Sequence, residues 1–305
     1  MPTTTRAPHD RFAVAIERLS SGWTPLEDKP EETLEQTVRA LWLTAAGDPR
    51  PVRDVASVAL PPLDASASML FDSLVARRSS GEPLAYLVGR QRFAGVELLV
   101  APGALIPRIE TELLAQTAIA KLHSMPASAG ARRALDLCTG SGNVALALAH
   151  HVSDVIVDGC DISADAVAIA RRNADFTHLA GRARFRAGDL FAPVDDPANA
   201  NAYAVVTCNP PYISSAKVGE MRAEIAKHEP RLAFDGGRFG LDVLLRTIKD
   251  APRFLVPGGW LCIEVGRGQG SFVIDRIRRA GGYTSCDGVD DASGVTRVVT
   301  ARLTA

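Results

Sequence analysis

Ala134-Leu135-Asp136-Leu137-Cys138-Thr139-Gly140-Ser141-Gly142-Asn143 reads as a short apolar strand, a glycine turn and the first turn of a helix. A strand handed over to a helix in this way is half of a β–α–β unit, and the downstream sequence repeats it. Val155-Ile156-Val157-Asp158-Gly159-Cys160-Asp161 is a second strand, with a helix from Ala164 to about Ala174. Ala183-Arg184-Phe185-Arg186 is a third, ending at Gly188-Asp189-Leu190, and Val205-Val206-Thr207-Cys208 a fourth. A helix around Leu241 to Ala251 precedes a fifth strand, Gly259 to Val265, and Ser293-Gly294-Val295-Thr296 turns the tail into a closing hairpin. The alternation predicts an α/β, doubly wound sheet, mostly parallel with an antiparallel C-terminal strand and helices on both faces.

The turns after these strands carry the chemistry. Glycines at 140 and 142 let a ligand approach the backbone, and a helix N-terminus favours negative charge. The full dinucleotide fingerprint is absent, because Ala145 stands where the third glycine belongs. No Gly-Lys-Ser/Thr follows, so the turn is not a phosphate-binding Walker loop either. Asp161, ending the second strand, can accept both hydroxyls of a ribose, and Asp189, ending the third, can accept from an adenine amino group. Acids in register at the carboxyl ends of one parallel sheet fit a nucleoside pocket at the switch point. Each is also a common helix cap.

The fourth strand runs into Asn209-Pro210-Pro211-Tyr212. Two prolines restrict their own φ and the residue before each, so the loop is stiff and holds Asn209 and Tyr212 in fixed relation. Asn209 offers a carbonyl and an NH2, whereas the proline carbonyls can only accept. Adjacent acceptors beside an aromatic ring suit a planar NH2 group on a carbonyl or heteroaromatic ring.

The whole chain has 305 residues, 47% hydrophobic and 23% charged, with a net charge of −1. That balance is globular and exerts no bulk pull on nucleic acid or anionic membrane. Arginine clusters, such as Arg132-Arg133 and Arg182/Arg184/Arg186, read as solvated helix faces. No apolar run approaches the ~18 residues of a membrane span, and no signal core opens the chain, so a cytoplasmic protein is expected. Five widely spaced cysteines show no metal-ligand spacing, read as buried hydrophobes, and no metal is expected. From Arg11 to about Arg78 the apolar residues recur at helical spacing, broken at Gly22–Pro30, Gly47–Pro51 and Pro61-Pro62. Phe93 to Val100 has the pattern of a β-hairpin turning at Gly95, Thr111 is a candidate N-cap for the helix that follows, and residues 126–130 form a linker.

With these motifs in place, the chain resembles class I S-adenosylmethionine-dependent methyltransferases, and within them the HemK-type protein-(glutamine side-chain amide) methyltransferases. The resemblance runs from about Glu82 to the C-terminus. It rests on Glu82-Pro83-Leu84-Ala85-Tyr86, Leu105 to Glu112, the Gly140 turn, Asn209-Pro210-Pro211-Tyr212-Ile213, Glu229-Pro230-Arg231-Leu232-Ala233, Gly240-Leu241 and Glu264-Val265-Gly266. It implies a Rossmann-like methyltransferase domain over residues 108–305, a β-hairpin linker at 89–107 and a helical substrate-recognition domain at 1–88. It implies S-adenosylmethionine bound by Asp136, Cys138, Thr139, Gly140, Ser141, Gly142, Asp161, Asp189, Leu190 and Asn209. Asn209, Pro210, Pro211 and Tyr212 would bind the substrate, with Asn209, Pro210 and Tyr212 catalytic. Family substrates are class 1 peptide chain release factors, methylated in a Gly-Gly-Gln loop, and a large-subunit ribosomal protein.

The sequence departs from the family at Ile109, where a proline is usual. Cys138 is reminiscent of the ribosomal-protein branch, while Glu110-Thr111-Glu112 is closer to the release-factor branch, and the first 80 residues match neither. The expectation is a monomeric enzyme acting on a release factor, without membrane or direct nucleic-acid contact. Glu110 and Glu229 are possible loop organisers. The rival readings are ribosomal-protein methylation, adenine methylation in nucleic acid, methylation of a small amide or amine, and a binding protein that has lost catalysis.

Overall fold

The computed structural model of the chain describes residues 8–21, 23–24, 29–126, 131–219, 223–237 and 239–305. The expectations for residues 1–7 and for most of the 126–130 linker lie outside these residues.

Helices α1 (Pro8–Ser20), α2 (Leu34–Ala45) and α3 (Ala65–Ser79) come first, and α2 and α3 start where the sequence supplies caps. The Thr33 hydroxyl accepts from the Gln36 N–H at 3.2 Å, and Asp64 accepts from Ala67 N–H at 2.8 Å. Their apolar stripes close around Trp42, whose ring meets Phe12 at 6.2 Å and Phe71 edge-on at 5.1 Å. Its indole N–H donates to Pro61 O at 2.8 Å, so the polar tip is satisfied. A short helix α4 (Leu84–Val88) ends at Gly89, whose φ of 74° is the left-handed stop of a helix.

Strands β1 (Arg90–Phe93) and β2 (Val96–Leu99) then pair antiparallel across Ala94-Gly95. Both turn residues have positive φ, 45° and 83°, the combination that matches the strand twist. The hairpin is anchored to the glycine turn by the fully buried Asn173. Its carbonyl accepts from Leu99 N–H at 2.7 Å, and its NH2 donates to Leu99 O and to Ser141 O in the glycine turn.

The remaining elements follow the alternation read from the sequence. They are α5 (Glu112–Ser124), β3 (Arg132–Leu137), α6 (Asn143–His151), β4 (Val155–Asp161), α7 (Ala164–Phe176), β5 (Ala183–Ala187) and β6 (Tyr203–Cys208). After them come the short α8 (Ser215–Val218) and α9 (Ala223–His228), then α10 (Asp242–Asp250), β7 (Leu255–Glu264), α11 (Gly270–Ala280), β8 (Tyr283–Asp290) and β9 (Thr296–Leu303). Seven strands form one sheet in the order β5-β4-β3-β6-β7-β9-β8, with only the β7–β9 and β9–β8 pairs antiparallel. Strand order reverses between β3 and β6, which makes the carboxyl ends of those two strands the switch point. One face of the sheet packs on α5, α6 and α7, the other on α10 and α11.

The strand register positions the site. Leu137 pairs with Cys160 on one side and Cys208 on the other, and Cys208 pairs with Ile263. The next residues, Cys138, Asp161, Asn209 and Glu264, therefore leave the sheet side by side.

Some details differ from the sequence reading. Strand β7 begins at Leu255, ahead of the expected Gly259, because Leu255 already pairs with Tyr203, and a register shift before the Val205–Trp260 pair takes up the residues between. Arg133 and Arg186, read as part of solvated clusters, lie on β3 and, as the strand reading has it, β5, where their guanidiniums reach the buried Asp158 at 2.6 and 3.5 Å. Thr111 occupies the N-cap position of α5, but its side chain makes no capping bond.

The loop after β6 is seated on bare backbone. Ile213 forms a parallel bridge with Asp235, and Gly236 N–H donates to Ile213 O at 2.9 Å. A Cβ at Gly236 would fall 2.2 Å from Pro211 O, and one at Gly240, where φ is +70°, 2.2 Å from Tyr212 O. Gly240→Ala is therefore expected to cost about 1–3 kcal/mol and to loosen the loop at Tyr212. Chemical denaturation and amide hydrogen exchange at Ile213 read this out; wild-type stability and protection in the variant would refute the seating.

Candidate active site

The side chains leaving the level strand ends border one cavity of about 410 Å³, within the ~300–1,000 Å³ usual for small-molecule sites. The glycine turn forms one wall. Gly140 has φ +53°, and a Cβ there would meet nothing within 4 Å, so its backbone faces open space. Its N–H donates to Asp161 Oδ2 at 2.8 Å, while Ser163 N–H donates to Oδ1 at 2.9 Å. Two backbone donors thus fix the Asp161 carboxylate and leave lone pairs on both oxygens. Burial pushes its pKa up and the two N–H bonds pull it back.

The other expected cofactor residues divide. Cys138, Thr139, Leu190 and Asn209 border the same cavity, and so do Asp136 and Asp189. Asp136 is almost wholly buried, and its oxygens accept from Thr139 Oγ1 at 2.5 Å and Thr207 Oγ1 at 2.7 Å. Burial raises it to about 6. Its bonds tie the glycine turn to β6 rather than reaching toward a ligand. Asp189 is half exposed and accepts from Arg246 of α10 at 2.7 Å. Ser141 and Gly142 lie behind the wall. A Cβ at Gly142 would come within 2.9 Å of the Phe185 ring, so that glycine serves the packing of β5 against the turn. Cys138 and Cys208 approach to 4.0 Å between sulfurs, and that contact, with burial, holds the Cys138 thiol well above its usual range. All five cysteines are free.

The Asn-Pro-Pro-Tyr loop forms the facing wall. Asn209 Nδ2 donates to Thr111 Oγ1 at 3.1 Å. With its NH2 so engaged, the amide has its carbonyl oxygen left for the cavity. Tyr212 OH donates to Glu264 Oε1 at 3.4 Å, and burial pushes the phenol up to about 12. The Tyr212 backbone carbonyl accepts from Gln269 Nε2 at 3.3 Å, and Gly266 N–H donates back to Gln269 Oε1 at 2.9 Å. Thr111 and Glu264 are functional candidates that the sequence reading passed over. Glu264 ends a strand in the same way as Asp161, which is the signal that could have found it. Nothing local marks Thr111, because its side-chain partner is 98 residues away.

Glu229, a possible loop organiser in the sequence, is a clamp. Its Oε2 accepts from Ile106 N–H at 3.0 Å, and its Oε1 pairs with Arg108 at 2.5 Å. The end of α9 is thereby held to the segment entering α5. On the N-terminal side Arg53 pairs with Glu31 and, at 2.7 Å, with Glu112, next to Thr111. Among the described residues no group of three or more His, Cys, Asp or Glu could hold a metal ion, and no helix is long and apolar enough to cross a membrane.

A family model described as methyltransferase small domain matches residues 111–241. The release factor glutamine methyltransferase of Geobacter sulfurreducens is 38% identical over 230 residues, 75% of this chain and 76% of its own. That of Moorella thermoacetica is 34% identical over 283 residues, 93% of this chain and 94% of its own. The ribosomal protein uL3 glutamine methyltransferase of Bradyrhizobium diazoefficiens is 36% identical over 211 residues, 67% and 64% of the two chains. Among solved structures, the human METTL16 catalytic domain is alike in fold, with a TM-score of 0.53 at 14% identity over 75% of this chain and 81% of that one. On the identity and coverage of these relatives, the chain belongs to the HemK-type family of glutamine methyltransferases.

Proposed function

We propose that this enzyme methylates the side-chain amide nitrogen of a glutamine, in the Gly-Gly-Gln loop of a peptide chain release factor. The observation that carries the reading is the hydrogen bond from Asn209 Nδ2 to Thr111, which leaves Oδ1 to accept from a bound NH2 group. The Pro210 carbonyl beside it supplies a second acceptor. An amide nitrogen is a poor nucleophile because its lone pair is delocalised into the carbonyl. Two acceptors holding both amide protons draw electron density onto that nitrogen and fix its direction. Orientation alone removes much of the entropic barrier. The Tyr212 ring, held by Glu264, closes one side of the acceptor site.

The cavity residues fit S-adenosylmethionine, which when bound supplies an electrophilic methyl group on a sulfonium. The Asp161 carboxylate is preorganised by Gly140 and Ser163 and keeps free lone pairs for ribose hydroxyls. The open Gly140 backbone allows close approach, and Asp189 and Leu190 border the part of the cavity suited to an adenine. The N-terminal helices, which build their own core around Trp42, are the proposed recognition surface for the protein substrate.

Release-factor methylation is preferred to ribosomal-protein methylation because relatives of the first name match over more of this chain. Incubation with methyl-labelled cofactor and purified release factor, ribosomal protein or DNA separates the readings. A methyl group found by mass spectrometry on the glutamine of the Gly-Gly-Gln loop supports the proposal; label only on another acceptor sinks it.

Two variants test the roles inside the site. Asp161→Ala should weaken cofactor binding at least tenfold, since a hydrogen bond to a charged group contributes about 1.5–3 kcal/mol. Unchanged affinity by calorimetry would remove the ribose assignment. Asn209→Asp has no NH2 to donate to Thr111. It should fold normally, keep cofactor affinity within a few-fold and lose about 100-fold in kcat, the scale of one lost transition-state contact. Near-normal kcat would return Asn209 to a structural role.

A further inference from the structure

The N-terminal helices and the sheet have separate apolar cores, one around Trp42 and one on each face of the sheet. Between them lies a small cluster of Ala85, Val100 and Ile106, with Tyr86 packed against it. Apolar contact is non-directional, so a cluster of that size acts as a pivot and does not by itself fix a rotation. A pair of directional contacts comes from the single 3₁₀ turn Val52–Asp54, whose last two residues carry opposite charges.

Arg53 bridges the two parts. Its Nε donates to Glu31 Oε1 at 3.2 Å on the N-terminal side, and its Nη1 donates to Oε1 of Glu112, the first residue of α5, at 2.7 Å. Asp54 reaches a different element. Its Oδ2 accepts from Arg92 Nε of β1 at 3.0 Å, and Arg92 Nη1 is fastened to Gly95 O in the hairpin turn at 3.1 Å. These side chains are half-buried. The turn cannot shift alone: Val52 and Val55 are buried in the helical core, and Arg39 Nε donates to Val55 O at 3.0 Å. One rigid turn is thus held at two points by ion pairs of opposite sense. Sliding it toward either partner would bring Asp54 to Glu112 or Arg53 to Arg92, like charge against like. The joint also lands at the chemistry, because Glu112 follows Thr111, whose hydroxyl accepts from Asn209.

We propose that Arg53 and Asp54 are positioning residues: through Glu112 and Arg92 they set the N-terminal helices at one orientation to the acceptor site, and so favour an intact protein substrate over a short peptide with the same glutamine. The inference rests on the reading of those helices as the recognition surface. Two sites on one rigid body hold a ligand by avidity, and that gain falls when their relative geometry loosens.

The test measures KM and kcat on intact release factor and on a synthetic peptide carrying its Gly-Gly-Gln loop, with calorimetry for the cofactor. The chains compared are wild type, Arg53→Met, Asp54→Asn, these two combined, Arg53→Glu, and Arg53→Glu joined to Glu112→Arg. Each neutral variant should raise KM for intact release factor about fivefold, the scale of one lost ion pair, and the combination should raise it further. Peptide kinetics, kcat and cofactor affinity should stay within about twofold of wild type, a split that general destabilisation does not produce. Arg53→Glu alone sets acids against one another, whereas adding Glu112→Arg restores the pair in reverse and should bring KM back toward wild type. Nitroxides on two exposed positions, Met69→Cys in α3 and Phe272→Cys in α11, report the orientation directly. Their distance distribution should broaden wherever a pair is broken and stay narrow in wild type and in the reversed pair.

Unchanged KM for intact release factor in the combined variant overturns the proposal. So does a fall in peptide kcat equal to that on the intact protein, which would place the effect inside the acceptor site. If Arg53→Met does not fold, Glu112→Gln breaks the same pair from the other side and carries the same expectations. Should wild type use the peptide as well as intact release factor, or methylate neither, the recognition reading fails by itself. The nitroxide distances still decide the joint in that case, and a wild-type distribution in the combined variant refutes it.

Discussion

Level pairing of the parallel strands is the constraint on which the rest of this site depends. Hydrogen bonds between β4, β3, β6 and β7 set Cys160, Leu137, Cys208 and Ile263 abreast, and each chain then leaves the sheet at the same height. A slip of one residue in any ladder would turn that strand's side chains to the opposite face and move its terminal residue out of the row. Long-range geometry that no local motif could supply is in this way fixed by backbone pairing. The buried apolar layers on both faces make the register costly to change.

Two kinds of restraint bring the loops onto that row. The glycine turn is held from below by Asp136 and from behind by Asn173, so its Gly140 N–H is presented to Asp161. The Asn-Pro-Pro-Tyr loop is held by close backbone contact at Gly236 and Gly240 and by Gln269 on the Tyr212 carbonyl. Proline stiffness sets the loop's shape, but these contacts set its place.

Much of the fold was legible from residues 134–143 outward, because strand, glycine turn and helix differ in periodicity and repeat along the chain. Gly95 marked the hairpin for the same local reason: its positive φ is a property of the residue and its turn. The site was legible only in part. Asp161, Gly140 and the Asn209 loop sit at ends of elements that the pattern locates. Thr111 was assigned to a cap because Ser and Thr before a helix usually cap it. In the fold its hydroxyl accepts instead from Asn209, a partner that only tertiary packing supplies. Ser141 and Gly142, read with the rest of the glycine turn, do not border the cavity at the strand ends, because Phe185 and Asn173 pack behind them.

Four acids lie at the strand ends, and the surroundings give each a different task. Asp136 is enclosed and meets two hydroxyls from opposite sides, so its capacity is spent on holding two elements together. Asp161 meets two backbone donors from one side and remains open on the other. Asp189 is solvated and engaged by Arg246, a pairing that is weak in water and easily exchanged. Glu264 is buried with an incomplete set of partners, and that burial raises its carboxyl to about 7. The residue type at a strand end therefore marks the site, and the number and direction of the donors around it decide whether the acid binds, braces or orients.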